Sequence, residues 1–310
     1  MNGYVALLLG VVFAGVGGEL LVRGAVGAAR WLRIAPGIIG ATVAAFATSS
    51  PELAVAVRSA VAGDPEIALG NALGANVVNV ALILAAGVAI SRIHCSRGSV
   101  KRDFPVAMLV PVVTAVLALL DGVVSRLDGL LMLAIFFVWL GATIIEARDQ
   151  RSAVAQDIGE KEIRPAILSS VAGLACLVAA GELVVAGARG IATAFGVDEF
   201  VIGATVVAVG TTAPELATMI VAKLRGHDDV GLGTILGSNI FNGLFIVGIA
   251  ATIHPIAVEW RQSVIALVFG VLALALSYPN RQNFIERRRG VILLVLYVVY
   301  LAAILQYRTA

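Results

Sequence analysis

GATVAAFATSSPEL at residues 40–53 and GATVVAVGTTAPEL at residues 203–216 agree at nine of fourteen positions. Their reading decides the fold. Each copy sets a proline and a glutamate inside an apolar run, where an uncompensated carboxylate costs several kcal/mol, at least about 2.5 at the centre of a bilayer. Proline removes a backbone donor and clashes with the preceding turn, so both runs must be interrupted where the acid sits.

The repetition extends well beyond the two stretches. A shift of 163 residues superimposes Glu19 on Glu182, Gly40 on Gly203, Pro51 on Pro214, Glu52 on Glu215, Gly74 on Gly237 and Asn79 on Asn242. Two unrelated apolar segments would not share this register, so the halves descend from one duplicated unit.

Composition sets the solvent. With 60% hydrophobic residues, 14% charged residues and a mean hydropathy of +0.98 over 310 residues, the chain has too little polar surface for a water-soluble globule. It reads as an all-α integral membrane protein. Apolar runs lie near residues 4–28, 36–61, 66–90, 104–120, 127–146, 165–192, 200–222, 230–253, 262–277 and 290–306. They are continuous and long enough to span as helices, unlike the alternating segments of a β-barrel. The long polar break at residues 147–164 divides them into five and five. The expected plan is a first five-helix repeat at 1–148, a linker at 149–163 and a second repeat at 164–310.

An odd number of spans per unit has a consequence. The second copy must enter the membrane from the opposite side, giving an inverted repeat with broken helices. That architecture belongs to alternating-access transporters, whose sites lie near the bilayer midplane where the halves meet.

Charge placement gives orientation. Of the 22 basic residues, 17 fall in intervals that share one side and 5 on the other. The positive-inside rule then puts both termini outside the cytoplasm and the central linker inside it, in the plasma (inner) membrane. The Arg287–Arg289 run is a solvated loop beside lipid headgroups rather than a nucleic-acid patch. The two cysteines, Cys95 and Cys176, make no disulfide or zinc framework, and the N-terminal run reads as a retained helix rather than a cleaved signal. No obligate protein partner is evident.

The candidate site follows from the breaks. Carbonyls upstream of Pro51 and Pro214 lose their donors, which nominates the backbone oxygens of Ala47, Thr48, Gly210 and Thr211. Glu52 and Glu215 lie just beyond, beside the hydroxyls of Thr48, Ser49, Thr211 and Thr212. The next run in each half, LGNALGANVVN at 69–79 and LGTILGSNIFN at 232–242, supplies Asn79, Asn242 and Ser238. Asn76 and Asn239 are expected to bond to the broken backbone instead. Gly70 with Gly74, and Gly233 with Gly237, should admit a neighbouring helix. Glu19 and Glu182 either pair with an arginine, face water or touch the path. A single intramembrane proline is usually a kink and a single buried amide usually a helix contact, but the doubled constellation is neither. Carboxylate, carbonyl and hydroxyl oxygens are hard ligands, which suit Ca²⁺ and Na⁺.

At these residues the sequence resembles the sodium/calcium exchanger family of the cation/calcium exchanger superfamily, with the two α-repeat motifs at 40–84 and 203–247. The resemblance implies ten helices, an ion site formed by spans two, three, seven and eight, and spans one and six sliding across it. It implies that Glu52 and Glu215 are shared Ca²⁺ and Na⁺ ligands, that the carbonyls of Ala47, Thr48, Gly210 and Thr211 complete the cage, and that Ser49, Thr212, Asn79, Ser238 and Asn242 line it. The short loops resemble those of a compact prokaryotic member without a calcium-sensing domain. Two positions depart from the pattern. Ala75 stands where the register matches Ser238, and Asn242 stands where potassium-dependent members carry an acid, which argues against K⁺ use.

The expected function is therefore antiport of Ca²⁺ against Na⁺, a transport activity rather than an enzymatic one, with no cofactor. The same fold could exchange H⁺ for Ca²⁺ or another divalent cation, because close carboxylates can share protons. An intramembrane protease with paired acids, or a passive cation channel, explains less of the doubled hydroxyls, amides and broken backbone.

Overall fold

A computed structural model describes residues 3–153, 163–194, 212–258 and 260–308. Helices occupy the described part of every expected apolar run, because a chain in hydrocarbon must satisfy its backbone polar groups internally. In order they are α1 (Gly3–Leu32), α2 (Pro36–Thr48), α3 (Ser50–Ala62), α4 (Glu66–Ile90), α5 (Phe104–Asp121), α6 (Arg126–Ala153), α7 (Arg164–Ala194), α8 (Ala213–Leu224), α9 (Asp228–Ile253), α10 (Trp260–Ser277) and α11 (Arg287–Arg308). Among the described residues, five helices are long and apolar enough to cross a membrane, and α2 with α3 makes a sixth, bent span.

Burial separates the centre from the periphery. In their most apolar stretches α4 is 67% and α9 is 89% buried, against 33% for α1, 22% for α6 and 17% for α7. The two central helices are the ones that carry LGNALGANVVN and LGTILGSNIFN. Each passes through a wider π-helical segment, at Asn79–Leu84 and at Phe241–Ile246. Such segments loosen the regular backbone ladder and recur at functional sites.

The peripheral pair α1 and α7 packs antiparallel along a seam of small residues. Gly3, Gly10, Gly17 and Gly24 meet the neighbourhoods of Gly187, Ala180, Gly173 and Ala166, numbers falling by seven as their partners rise by seven. A Cβ on Gly17 would stand 2.9 Å from the Gly173 carbonyl oxygen, and one on Gly173 would stand 2.5 Å from the Leu21 nitrogen. The backbones therefore touch, and neither position accepts a side chain without separating the helices.

Two short ribbons tie the halves together. β1 (Ile93–His94) pairs antiparallel with β4 (Phe284–Ile285), and β2 (Val123–Val124) with β3 (Ile256–Ala257). Ile93 and Ile256 are 163 residues apart, so each ribbon joins one strand from either half and the two ribbons are counterparts. α5, about 27 Å long at 1.5 Å per residue, lies between β1 and β2, which puts the ribbons at opposite ends of the bundle.

Helical conformation extends into the polar break. α6 continues through Ala153, past the expected starts of the break at 147 and of the linker at 149. The cause is a run of hydrogen bonds on its last turns. Gln150 Nε2 donates to Glu146 Oε1 at 3.2 Å, and Gln150 Oε1 accepts the Ala35 N–H at 2.9 Å. Glu146 in turn takes a bond from Arg102, which also pairs with the buried Asp103, and Trp139 Nε1 donates to Asp103 at 3.1 Å. This network anchors the entry of α2 to α5 and α6.

Candidate ion site

Ser49 ends α2 with φ −87° and ψ 7°, and Thr212, 163 residues later, precedes α8 with φ −92° and ψ 10°. The same backbone corner is thus built twice. At the first, α2 and α3 are bent by 48°. Each proline stands in the opening turn of a half-helix, where its missing N–H is harmless, rather than kinking a continuing helix. Pro51 still has no N–H to offer the Ala47 carbonyl four residues before it. Glu52 and Glu215 follow in those opening turns, at the positive ends of α3 and α8, where the helix dipole favours an anion.

Both glutamates are enclosed, Glu52 being 2% and Glu215 1% exposed. Their carboxylates are near enough to repel one another. The halves touch directly at this point. Ser49 Oγ donates to Glu215 Oε1 at 3.4 Å, and the Thr48 hydroxyl lies beside the same carboxylate while donating to the Ala45 carbonyl at 3.3 Å. Thr48, Ser49, Thr212, Asn79, Asn242 and Ser238 are all buried, and Ala47 is partly so. Gly210 and Thr211 lie outside the described residues.

The amides of the central helices divide into two roles, one of them unexpected. Asn76 Nδ2 donates to the Asn239 carbonyl at 3.1 Å, and Asn239 Nδ2 donates to the Asn76 carbonyl at 3.3 Å. The pair is reciprocal and 163 residues apart, so it marks the point where α4 and α9 cross as counterparts. The expectation that these amides bond to the broken backbone of the half-helices is corrected: each reaches the other's central helix, because that helix is the nearer neighbour. Asn79 Nδ2 donates to Asn239 Oδ1 at 3.1 Å, which fixes the Asn79 amide with its oxygen turned the other way.

Gly233 and Gly237 face α2 as anticipated, a Cβ on Gly233 falling 2.5 Å from the Gly37 carbonyl oxygen. Gly70 meets no described atom within 4 Å, and Gly74 meets the Tyr300 hydroxyl at 3.8 Å. The residues whose register matches Gly37 and Ala41, at 200 and 204, lie outside the described residues. Glu19 is paired with Arg225 at 2.8 Å, and Glu182 is exposed. Cys95 is buried beyond β1, and burial, with Asp228 nearby, pushes its thiol up to about 12, which removes it from nucleophilic chemistry.

One property singles out the site. Among the described residues, the buried side-chain atoms without a hydrogen-bond partner are Glu52 Oε1 and Oε2, Glu215 Oε2, Asn76 Oδ1, Asn79 Oδ1, Asn242 Oδ1 and Ser238 Oγ. All seven are oxygens, and all belong to the broken-helix corners or the central crossing. Buried polar atoms are ordinarily satisfied, and each one left over costs about 1–3 kcal/mol. A cluster of hard oxygen acceptors with two acids among them is what a Ca²⁺ or Na⁺ ion requires.

The family model described as "Sodium/calcium exchanger protein" matches the chain twice, at residues 2–145 and 165–306. Starts at 2 and 165 differ by 163, the register of the repeat. A relative from Alkalimonas amylolytica, provisionally named as the antiporter CaxA, is 34% identical over 309 residues, covering 95% of this chain and 96% of its own. The sodium/calcium exchanger MaX1 of Methanosarcina acetivorans is 27% identical, covering 97% of this chain and 98% of its own. Among solved structures, the sodium-calcium exchanger NCX_Mj, soaked with Na⁺ and Sr²⁺, aligns with a TM-score of 0.82 at 28% identity over 97% of this chain and 98% of that one.

Proposed function

As the chain belongs to the sodium/calcium exchanger family, we propose that it is a secondary antiporter that moves Ca²⁺ one way across the membrane and Na⁺ the other by alternating access. The observation that carries this reading is the set of seven unpartnered buried oxygens gathered at the two broken-helix corners and the crossing of α4 with α9. Glu52 and Glu215 are the shared anionic ligands. Ser238, Asn79 and Asn242, the hydroxyls of Thr48, Ser49, Thr211 and Thr212, and the carbonyls of Ala47, Thr48, Gly210 and Thr211 complete the coordination.

Obligatory exchange follows from charge. Two buried carboxylates with no cation between them carry a penalty of several kcal/mol per charge after relaxation. At about 1.4 kcal/mol per factor of ten, a penalty of about 4 kcal/mol makes the empty site cross roughly a thousandfold less readily than the loaded one. One divalent ion neutralises the pair, and so do monovalent ions in greater number, so the two substrates compete for the same oxygens. The plan is ten spans in two inverted repeats, 1–148 and 164–310, joined by a linker at 149–163 on the cytoplasmic side, with both termini outside. The paired ribbons at opposite ends and the doubled corners support it.

A second reading keeps the site and replaces Na⁺ with H⁺. Ala75 favours it, since the position matching Ser238 offers no oxygen and one monovalent site has a ligand fewer. The direct test is calorimetric titration of the purified protein with Ca²⁺ at fixed pH. Saturable binding that weakens as Na⁺ replaces choline, and that disappears in E52Q, supports the first reading. Binding that survives in E52Q overturns the site, and binding indifferent to Na⁺ but weakened by acid replaces Na⁺ with H⁺.

A further inference from the structure

A polar cavity of about 380 Å³ lies away from the ion site between the last turns of α1, the start of α7 and the turn that joins α8 to α9. Its floor is apolar, from Val22 and Val26, and its rim is cationic. Arg23 and Arg30 stand two helical turns apart along α1, and Arg225 and His227 face them from the connecting turn. Of the three guanidinium groups, Arg225 is paired, with Glu19 at 2.8 Å. Arg23 and Arg30 have no ion pair or hydrogen bond among the described residues. Counting Glu19, the described lining residues carry a net of two positive charges before His227 is considered.

We propose that this cavity is a binding site for a phosphate group, carried by an anionic lipid headgroup or free in solution. Guanidinium forks match phosphate oxygens bidentately and are weakly hydrated, which suits a partly enclosed rim. The Ser169 hydroxyl on the α7 wall adds a donor of the right length for a remaining phosphate oxygen. The apolar floor suits the glycerol and first methylenes of a lipid, and the cavity opens at the end of the bundle that carries the excess of basic residues, where anionic headgroups concentrate. Bound phosphate would also compete with Glu19 for Arg225 and so bridge α1 to the α8 end. The site does not depend on which ions are exchanged.

The test is native mass spectrometry of the full-length protein, titrated with phosphatidylglycerol, with phosphatidylcholine and with inorganic phosphate. One phosphatidylglycerol should be retained at a concentration at least about fivefold below that for phosphatidylcholine, the difference expected when two guanidinium groups grip one phosphate. The double variant R23Q/R30Q should erase the preference. R97Q/K101Q, which removes the same charge from the same end outside the cavity, should keep it; should the first variant fail to fold, R30Q alone must lower the preference at least about twofold. Displacement of the lipid by millimolar inorganic phosphate identifies a free-phosphate site, and resistance to displacement identifies a lipid site. Equal loss in both double variants, or binding of neither phosphatidylglycerol nor inorganic phosphate, overturns the proposal.

Discussion

Glu215 receives a hydrogen bond from Ser49 of the opposite half, whereas neither oxygen of Glu52 has a hydrogen-bond partner among the described residues. Around them the halves differ again. Ser238 faces the site with an unpartnered hydroxyl where the first half has Ala75, and Glu19 is locked to Arg225 where Glu182 would find Ala62. The broken backbone, the two acids and the reciprocal amides are shared. On the proposed function, cation binding draws on what the halves have in common, and the choice of counter-ion and the balance between conformations draw on what they do not.

The sharpest way to break that division is to remove the acids one at a time. E52Q and E215Q should each reduce Ca²⁺ flux in proteoliposomes by about a hundredfold or more, despite their different surroundings, because either change leaves one acid to balance a divalent ion at a depth where charge must be matched. Near-normal flux in either variant would show that the two acids are not equivalent.

The reciprocal amides come next. N76A and N239A should each destabilise the protein by about 1–3 kcal/mol, since each strands a buried carbonyl in the other helix. Thermal unfolding of the two singles and the double should show strong non-additivity, as expected of one coupled pair. Independent effects would mean that α4 and α9 are not held as counterparts.

How much of this was legible in the sequence depends on how each feature is written there. The corners at Ser49 and Thr212 were, because proline followed by glutamate in an apolar run leaves few ways to fold and the pattern occurs twice. The seam between α1 and α7 was missed, although glycine at 3, 10, 17 and 24 and small residues at 166, 173, 180 and 187 stand at a spacing of seven that a search for helix contacts would find. The Asn76 to Asn239 exchange could not be read from either run alone. Its partners are 163 residues apart, and their meeting depends on how two helices cross. The late end of α6 was hidden for a similar reason, as Gln150 looks like an ordinary linker residue until Ala35 is placed beside it.

Smaller effects test the differences. S238A should weaken Na⁺ dependence of Ca²⁺ transport several-fold, by the loss of one oxygen ligand worth about 1 kcal/mol, and A75S should move it in the opposite direction. Concentration dependence of Na⁺-driven uptake reads both. Identical curves for A75S, S238A and the parent would remove Ala75 from the question of the counter-ion. R225Q, which breaks an ion pair whose arginine is 60% exposed, should change the unfolding midpoint by an amount worth less than about 1 kcal/mol.

The central claim is that Ca²⁺ and Na⁺ compete for one set of oxygens shared between the two halves. It is tested most directly by Ca²⁺ uptake into proteoliposomes under an imposed outward Na⁺ gradient, set beside an imposed pH gradient of the same magnitude. Uptake that requires the Na⁺ gradient, ignores the pH gradient and vanishes in both E52Q and E215Q is the predicted result. Uptake that follows the pH gradient without Na⁺, or that proceeds with no counter-ion gradient at all, would contradict it.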